Sequence, residues 1–322
     1  MKVGYSLGPL LSMADVLRCA SLADEQGVDS VWVPESWGRE SFSTLGAVAQ
    51  ATKRVRLGTS IISIFSRTPA TIAMGAATLD MISGDRAILG LGTSTEAIVE
   101  NWHGIDFVRP ASRMKECVEC IRLMTSGEKV SYSGEFFKIN NFKMLNTPPR
   151  KHVPIFLAAV NRRMLALAAE KADGVLLYMR PFEELKKTVP ELKARASAGN
   201  FEVALSLICA VSDKEPEKAR ARAAKTLAFY VAVGKYYSRF LAENGYREEV
   251  ERITAEYQKN GGDVAAGQVS PKMLDALTVC GTKEECKKAL SRFSDSGVTL
   301  PILQFNPVEG AESSFRELLS TF

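Results

Sequence analysis

The sequence predicts an α/β fold, a closed (β/α)8 TIM barrel with an insertion between its seventh and eighth strands. Three observations carry this reading. Apolar runs alternate with amphipathic stretches along the chain, the runs are almost unbroken by polar residues, and eight of them can be counted. Near-continuous apolar strands joined by helices belong to parallel sheets covered on both faces. Eight such units within 322 residues favour closure over an open doubly wound sheet, and 1–322 reads as a single domain.

The elements follow in order. Val3 to Ser6 reads as the first strand and Met13 to Gln26 as a helix closed by Gly27. Ser30 to Pro34 is the second strand, Phe42 to Ala51 a helix, and Val55 to Ile62 the third strand. Pro69, suited to a first turn, starts a helix that runs to Met81 and stops at Ser83-Gly84. The fourth strand is Arg86 to Gly92, followed by a helix from Ala111 to Met124. Lys129 to Ile139 alternates on both sides of Ser133-Gly134, the pattern of a β-hairpin outside the main repeat. Val153 to Ala158, Gly174 to Tyr178, Val203 to Val211 and Leu300 to Phe305 supply strands five to eight. Ser212 to Lys287 is too long for one crossover; its charged helices, Glu215 to Val233 and Arg247 to Lys259, precede Gly261-Gly262 and read as the insertion.

Composition excludes several classes of function. The net charge is +4 and Lys and Arg are scattered, so there is no basic stripe for nucleic acid. No apolar run reaches the length of a membrane span, and the first residues lead into a strand without a signal-peptide pattern, so a soluble cytoplasmic protein is expected. Six cysteines in a chain of this length do not make a disulfide framework. Cys117 and Cys120 form a C-x-x-C, but within an amphipathic helix and without a second pair at zinc spacing, so core packing is expected and no metal site.

The richest stretch is Arg86 to Gly104. A buried strand breaks on Gly90, Gly92, Thr93 and Ser94, residues that suit close backbone approach and hydroxyl contacts to a ligand. It ends on Glu100-Asn-Trp-His-Gly104, with His103 read as a loop residue. A dinucleotide fingerprint is excluded: the third glycine is missing, the motif follows the fourth strand rather than the first, and no acidic residue closes the next strand.

Leu57-Gly-Thr-Ser-Ile-Ile-Ser-Ile-Phe-Ser-Arg-Thr-Pro69, Leu79 to Thr93, Glu100 to Gly104, Pro154-Ile-Phe-Leu-Ala-Ala159 and Ala172-Asp-Gly174 together resemble the bacterial-luciferase-like superfamily. Within it they resemble the coenzyme F420-dependent oxidoreductases. In the insertion, Phe229 to Gly234, Glu243-Asn-Gly245 and Val269 to Gly281 are similar to methylenetetrahydromethanopterin reductases.

The resemblance implies a homodimeric enzyme that moves a hydride between F420 and a small organic substrate. It also implies a deazaflavin across the carboxyl ends of the strands. Ser60-Ile61 would form a bulge with a non-prolyl cis peptide behind the ring, with Ser36 and Thr59 beside it. Thr93, Ser94, Ala159, Val160, Asn161 and Gly174 would hold the cofactor and its phosphate. The residues suit this locally, because Ala158-Ala-Val-Asn161 leads into a helix whose first amides are free to bind an anion. Asn161 reads equally as a plain N-cap.

Two departures stand out. Relatives often carry Asp-His after the second strand, where this chain has Glu35-Ser36, and the reductases carry a Glu in the first strand, where it has Tyr5-Ser6. Glu35 is then a candidate acid and His103 a candidate catalytic contact or an ordering residue of its loop. His152 falls on the amino-terminal side of the barrel, and Arg67 is either a cation for an anionic cofactor tail or an exposed loop residue. FMN would use the same phosphate site, which leaves an FMN-dependent monooxygenase and a flavin-binding protein without turnover as competing readings.

Overall fold

The computed structural model describes residues 2–146, 150 and 152–322. β1 (Gly4–Ser6), α1 (Met13–Glu25), β2 (Ser30–Val33), α2 (Ser41–Ala51), β3 (Arg56–Thr59), β4 (Ile62–Ser63), α3 (Pro69–Ser83) and β5 (Ala87–Gly92) alternate as expected. After them come α4 (Glu96–His103), α5 (Pro110–Thr125) and the antiparallel hairpin of β6 (Val130–Ser133) and β7 (Lys138–Phe142). β8 (Ile155–Ala158), α6 (Arg162–Lys171), β9 (Gly174–Tyr178), α7 (Phe182–Arg195) and β10 (Glu202–Val211) resume the repeat. The insertion holds α8 (Pro216–Val233), α9 (Lys235–Leu241), α10 (Arg247–Asn260), α11 (Gly262–Ala266), α12 (Pro271–Leu277) and β11 (Thr278–Gly281). α13 (Lys283–Asp295), β12 (Leu300–Phe305) and α14 (Ala311–Leu319) follow.

β1, β2, β3, β5, β8, β9, β10 and β12 pair in that order, all parallel, and β12 returns to β1 to close the barrel. Local chemistry sets the helix limits. Ser12 and Asp15 make a capping box on α1, Thr68 caps α3 ahead of Pro69, and Gly84 ends α3 in the left-handed region. Among the described residues no helix is long and apolar enough to cross a membrane.

Inside the barrel, Trp32, Ile88, Phe156, Leu176, Ala204, Leu300 and Ile302 form one apolar plug. Trp32 is fully buried and its indole N–H donates to Ser30 Oγ at 2.9 Å. Its ring needs space from the next strand: a Cβ on Gly58, its register partner, would stand 2.2 Å from the ring. The amino-terminal end of the barrel is tied by ion pairs. Arg56 bridges Asp29 and Glu202, Arg150 binds the buried Asp80, and Asp173 takes Arg122 and His152. Burial pushes the Asp173 carboxyl up, but Arg122, the Ile155 amide and His152 outweigh it and hold it below its usual range.

The cis peptide expected at Ser60-Ile61 is present, and it divides the third strand, Val55 to Ile62, into β3 and β4. Three other expectations need correction. His103 is not in a loop but ends α4, a helix capped by Thr95 and closed by Gly104. The insertion ends before Lys287, because α13 is the ordinary crossover helix and starts at Lys283. It also contributes β11, which pairs with the outer half of β10 where β9 has already ended. Cys117 and Cys120 are buried on α5 as expected, and burial pushes both thiols up to about 12.

Gly58→Ala should force its methyl into the Trp32 ring and destabilise the fold by about 1–3 kcal/mol, the usual cost of overpacking. Urea unfolding followed by tryptophan emission measures this; an unchanged midpoint would contradict the packing described.

Candidate active site

The carboxyl ends of the strands form an open mouth, the end of such barrels that carries chemistry. Its floor is the break in the third strand. Thr59 is fully buried, and its hydroxyl donates to the Gly90 carbonyl and accepts from the Gly90 amide, both at 2.8 Å. The Ser60 amide donates to the Val33 carbonyl at 2.9 Å. The two Thr59 bonds replace ladder pairing where β3 parts from β5, while the Ser60 bond continues the pairing with β2. They also explain the glycines of β5. A Cβ on Gly90 would meet the Thr59 carbonyl oxygen at 1.9 Å, and one on Gly92 would meet the Ile61 side chain at 2.6 Å. The glycine pair makes room for the bulge rather than for a ligand. Ser60 Oγ is left buried without a hydrogen-bond partner, an orphan that a bound molecule would satisfy.

Beside it, β8 runs into α6 through Ala159, Val160 and Asn161. Asn161 caps α6, its Oδ1 accepting from the Met164 amide at 3.0 Å. Ala159 is a wall rather than an anion donor, since its amide is spent on the Leu176 carbonyl at 3.2 Å. The Asn161, Arg162 and Arg163 amides are the ones without an intrahelical acceptor. Arg180, which sequence reading missed, sets their direction. It is 2% exposed, and its Nη2 donates to the Val160 carbonyl at 2.6 Å. Carbonyl and amide of one trans peptide point opposite ways, so the Asn161 N–H is aimed away from Arg180. Glu184 pairs with Arg180 at 2.5 Å and Phe240 of α9 lies under the guanidinium, 4.5 Å from ring centre. Its only sequence signal is an Arg just past strand six with a Glu four residues on.

On the opposite rim, Glu35 and Glu40 converge on Arg67. Glu35 takes Arg67 through both oxygens and accepts the Ser41 amide at 3.0 Å, while Glu40 Oε1 lies 2.7 Å from Arg67 Nη2. The bond to Glu35 is the main reason Arg67 is held above its usual range. Arg67 is thus partly buried and paired, and Glu35 orders the loop after β2. Ser36 follows it, half-buried. Trp37 packs edge-on against Trp102 and Phe229, with ring centres 6.4 and 5.3 Å apart. Three elements thereby join over the mouth, although both tryptophans remain about half exposed. His103, next to Trp102, is exposed.

The remaining wall is phenolic. Tyr178 donates to Gln304 Oε1 at 2.8 Å and meets Tyr230 and Tyr237 edge-on. Burial pushes the Tyr178 phenol well up, so it stays a donor. Thr93 and Ser94 follow β5, Ser94 with φ of 59°. A cavity of about 300 Å³ opens beyond them, lined by Thr95, Glu96, Glu100, Val233, Lys235 and Tyr236. Gly174 is the clear misassignment. It opens β9 at the amino-terminal end, away from the mouth, where a Cβ would stand 2.7 Å from the Glu202 carbonyl and 2.9 Å from Phe156. Its role is to seat Phe156.

The luciferase-like monooxygenase family profile matches residues 2–300. The chain is 32% identical over 306 residues to the 5,10-methylenetetrahydromethanopterin reductase of Methanolobus tindarius, covering 93% of this chain and 92% of that one. It is 31% identical over 311 residues to the reductase of the same name from Archaeoglobus fulgidus, with coverage of 93% and 92%. Among solved structures, the fold is similar to the coenzyme F420-dependent tetrahydromethanopterin reductase of Methanopyrus kandleri, with a TM-score of 0.89, 23% identity and coverage of 99% and 97%.

Arg180→Met should leave the partly buried Glu184 with the Thr188 hydroxyl but no cation, and cost about 3 kcal/mol of stability. Replacing Glu184 by Leu in the same chain should recover part of that loss. Chemical denaturation of both variants is the check, and a single variant as stable as the parent would contradict the arrangement.

Proposed function

The chain belongs to the luciferase-like monooxygenase family of flavin and deazaflavin oxidoreductases, and we propose that it uses coenzyme F420. The observation that carries a flavin-type cofactor is the unpartnered Ser60 hydroxyl together with the free first amides of α6. One offers a hydrogen bond at the floor of the mouth and the other an anion site at its side. The choice of F420 is supported by a Mycobacterium tuberculosis relative named a putative coenzyme F420-dependent oxidoreductase, 30% identical over 338 residues with 96% of both chains covered. When bound, the deazaflavin supplies the hydride chemistry.

This chain's residues would then bind, orient and shield. Ser36, Ser60 and Ile61 back the ring, and the amides from Asn161 onward, with Val160, Thr93 and Ser94, hold the phosphate. Trp37, Trp102 and Phe229 exclude water above it. Glu35 is the carboxylate offered for proton transfer, with His103 as a second contact at the rim. The substrate is a small organic molecule. A methylenetetrahydromethanopterin-type reductase is one candidate, although β1 brings no carboxylate to the mouth: Tyr5 packs outward on Phe315 and Ser6 is buried. The protein is proposed to work as a single-domain homodimer in the cytoplasm. Exposed Met74, Met81 and Ile82 on α3 support the dimer, and six free thiols suit a reducing compartment.

Mass and absorption spectra of the cofactor copurified from a host that makes both F420 and FMN test the assignment, together with anaerobic turnover and oxygen uptake. F420 with oxygen-independent substrate oxidation is expected; FMN with substrate-linked oxygen consumption would favour the monooxygenase, and binding without turnover a carrier. Glu35→Gln should lower kcat about a hundredfold or more if the carboxylate moves a proton, the usual range for acid–base catalysis. Equal losses of stability and activity would mark it as structural.

A further inference from the structure

One face of α8 carries Arg222, Thr226 four residues on, and Phe229 and Tyr230 three and four beyond that, with the helix packed on β10 and tied by Thr226 to Asn306 just after β12. Thr226 Oγ1 donates to Asn306 Oδ1 at 2.8 Å, and Asn306 Nδ2 donates to the Gln304 carbonyl at 2.8 Å. The Asn306 amide is anchored on the Cys209 carbonyl at 2.9 Å. Arg222 stands on this network, its Nη1 donating to Thr226 Oγ1 at 3.1 Å.

That single hydroxyl is a poor partner for a half-buried guanidinium with five N–H donors. Arg56, Arg67, Arg122, Arg150 and Arg180 each meet a carboxylate. Arg39 and Arg86 instead bond two or more backbone carbonyls. Among the described residues no carboxylate pairs with Arg222. Burial alone pulls its pKa down, with no neighbouring acid to oppose it. The remaining N–H groups of this partly buried guanidinium are open to solvent and free to take an anion.

We propose that Arg222, held in place by Thr226 and Asn306, binds an anionic group of the substrate, a carboxylate or a phosphate. The inference rests on the proposed oxidoreductase reading only in calling the ligand a substrate. The cofactor's own anions are the other source of this chemistry, but their cradle lies after β8, while Arg222 stands over β10 and β12. Phe229 lies seven residues along the same helix, about 10 Å at the α-helical rise. The substrate is therefore an organic anion with its apolar body against the aromatic roof.

Inorganic phosphate titrated calorimetrically into the F420-loaded protein tests this. The loaded wild type should bind one phosphate. Arg222→Gln should weaken that binding at least tenfold, Arg222→Lys should restore part of it, and the fluorescence-measured affinity for F420 should stay within twofold in both. Circular dichroism melting confirms that each variant is folded. No phosphate binding to the loaded wild type, or equal binding by Arg222→Gln, overturns the proposal. Loss of F420 affinity in Arg222→Gln would assign the site to the cofactor and overturn it as well. If the protein does not take F420, the cofactor reading fails separately, and Arg222-dependent phosphate binding to the unloaded protein still supports the anion site.

Discussion

Where the third strand leaves its neighbour, one hydroxyl takes over from the backbone ladder. Thr59 gives a hydrogen bond to the Gly90 carbonyl and receives one from the Gly90 amide, so the barrel stays closed while the chain kinks above it. Much of the mouth follows from this. Gly90 has no Cβ because the Thr59 carbonyl occupies that space, Gly92 lies under Ile61, and Ser60 is carried to the floor with its hydroxyl unpartnered. A larger residue at either glycine would push the bulge away from the sheet, and the floor with it.

The two ends of the barrel divide stability and function. At the amino-terminal end, acids and arginines satisfy each other, as in Arg56 with Asp29 and Glu202, and Asp173 with Arg122. At the mouth, polar groups are left incomplete: Ser60 Oγ, Arg180 Nε and the first amides of α6. Buried polar groups are ordinarily paired, so a concentration of incomplete ones at one end marks where ligands complete the structure. The insertion contributes to that end through Phe240 under Arg180 and Phe229 against Trp37.

Most of the fold was legible because buried parallel strands announce themselves as apolar runs, and because Pro69, Gly84 and Asn161 carry their own boundary signals. The failures share a physical cause. β4 has two residues and β11 four, and both exist only through pairing with a strand far away in sequence. Glu35 meets Arg67 32 positions on, and Arg180 meets Val160 20 positions back; neither pairing leaves a local pattern. Gly90 and Gly174 were read as ligand glycines when each makes room for a protein atom, the Thr59 carbonyl in one case and the Phe156 ring in the other. A glycine reports that something approaches closely, not what approaches.

The most direct measurement of this account is a crystal structure of the protein saturated with F420. The account predicts the ring against Ser60 and Ile61, with Ser60 Oγ hydrogen-bonded, and the phosphate on the amides of Asn161 to Arg163. A cofactor whose phosphate lies elsewhere, or a Ser60 hydroxyl still without a partner, would contradict it.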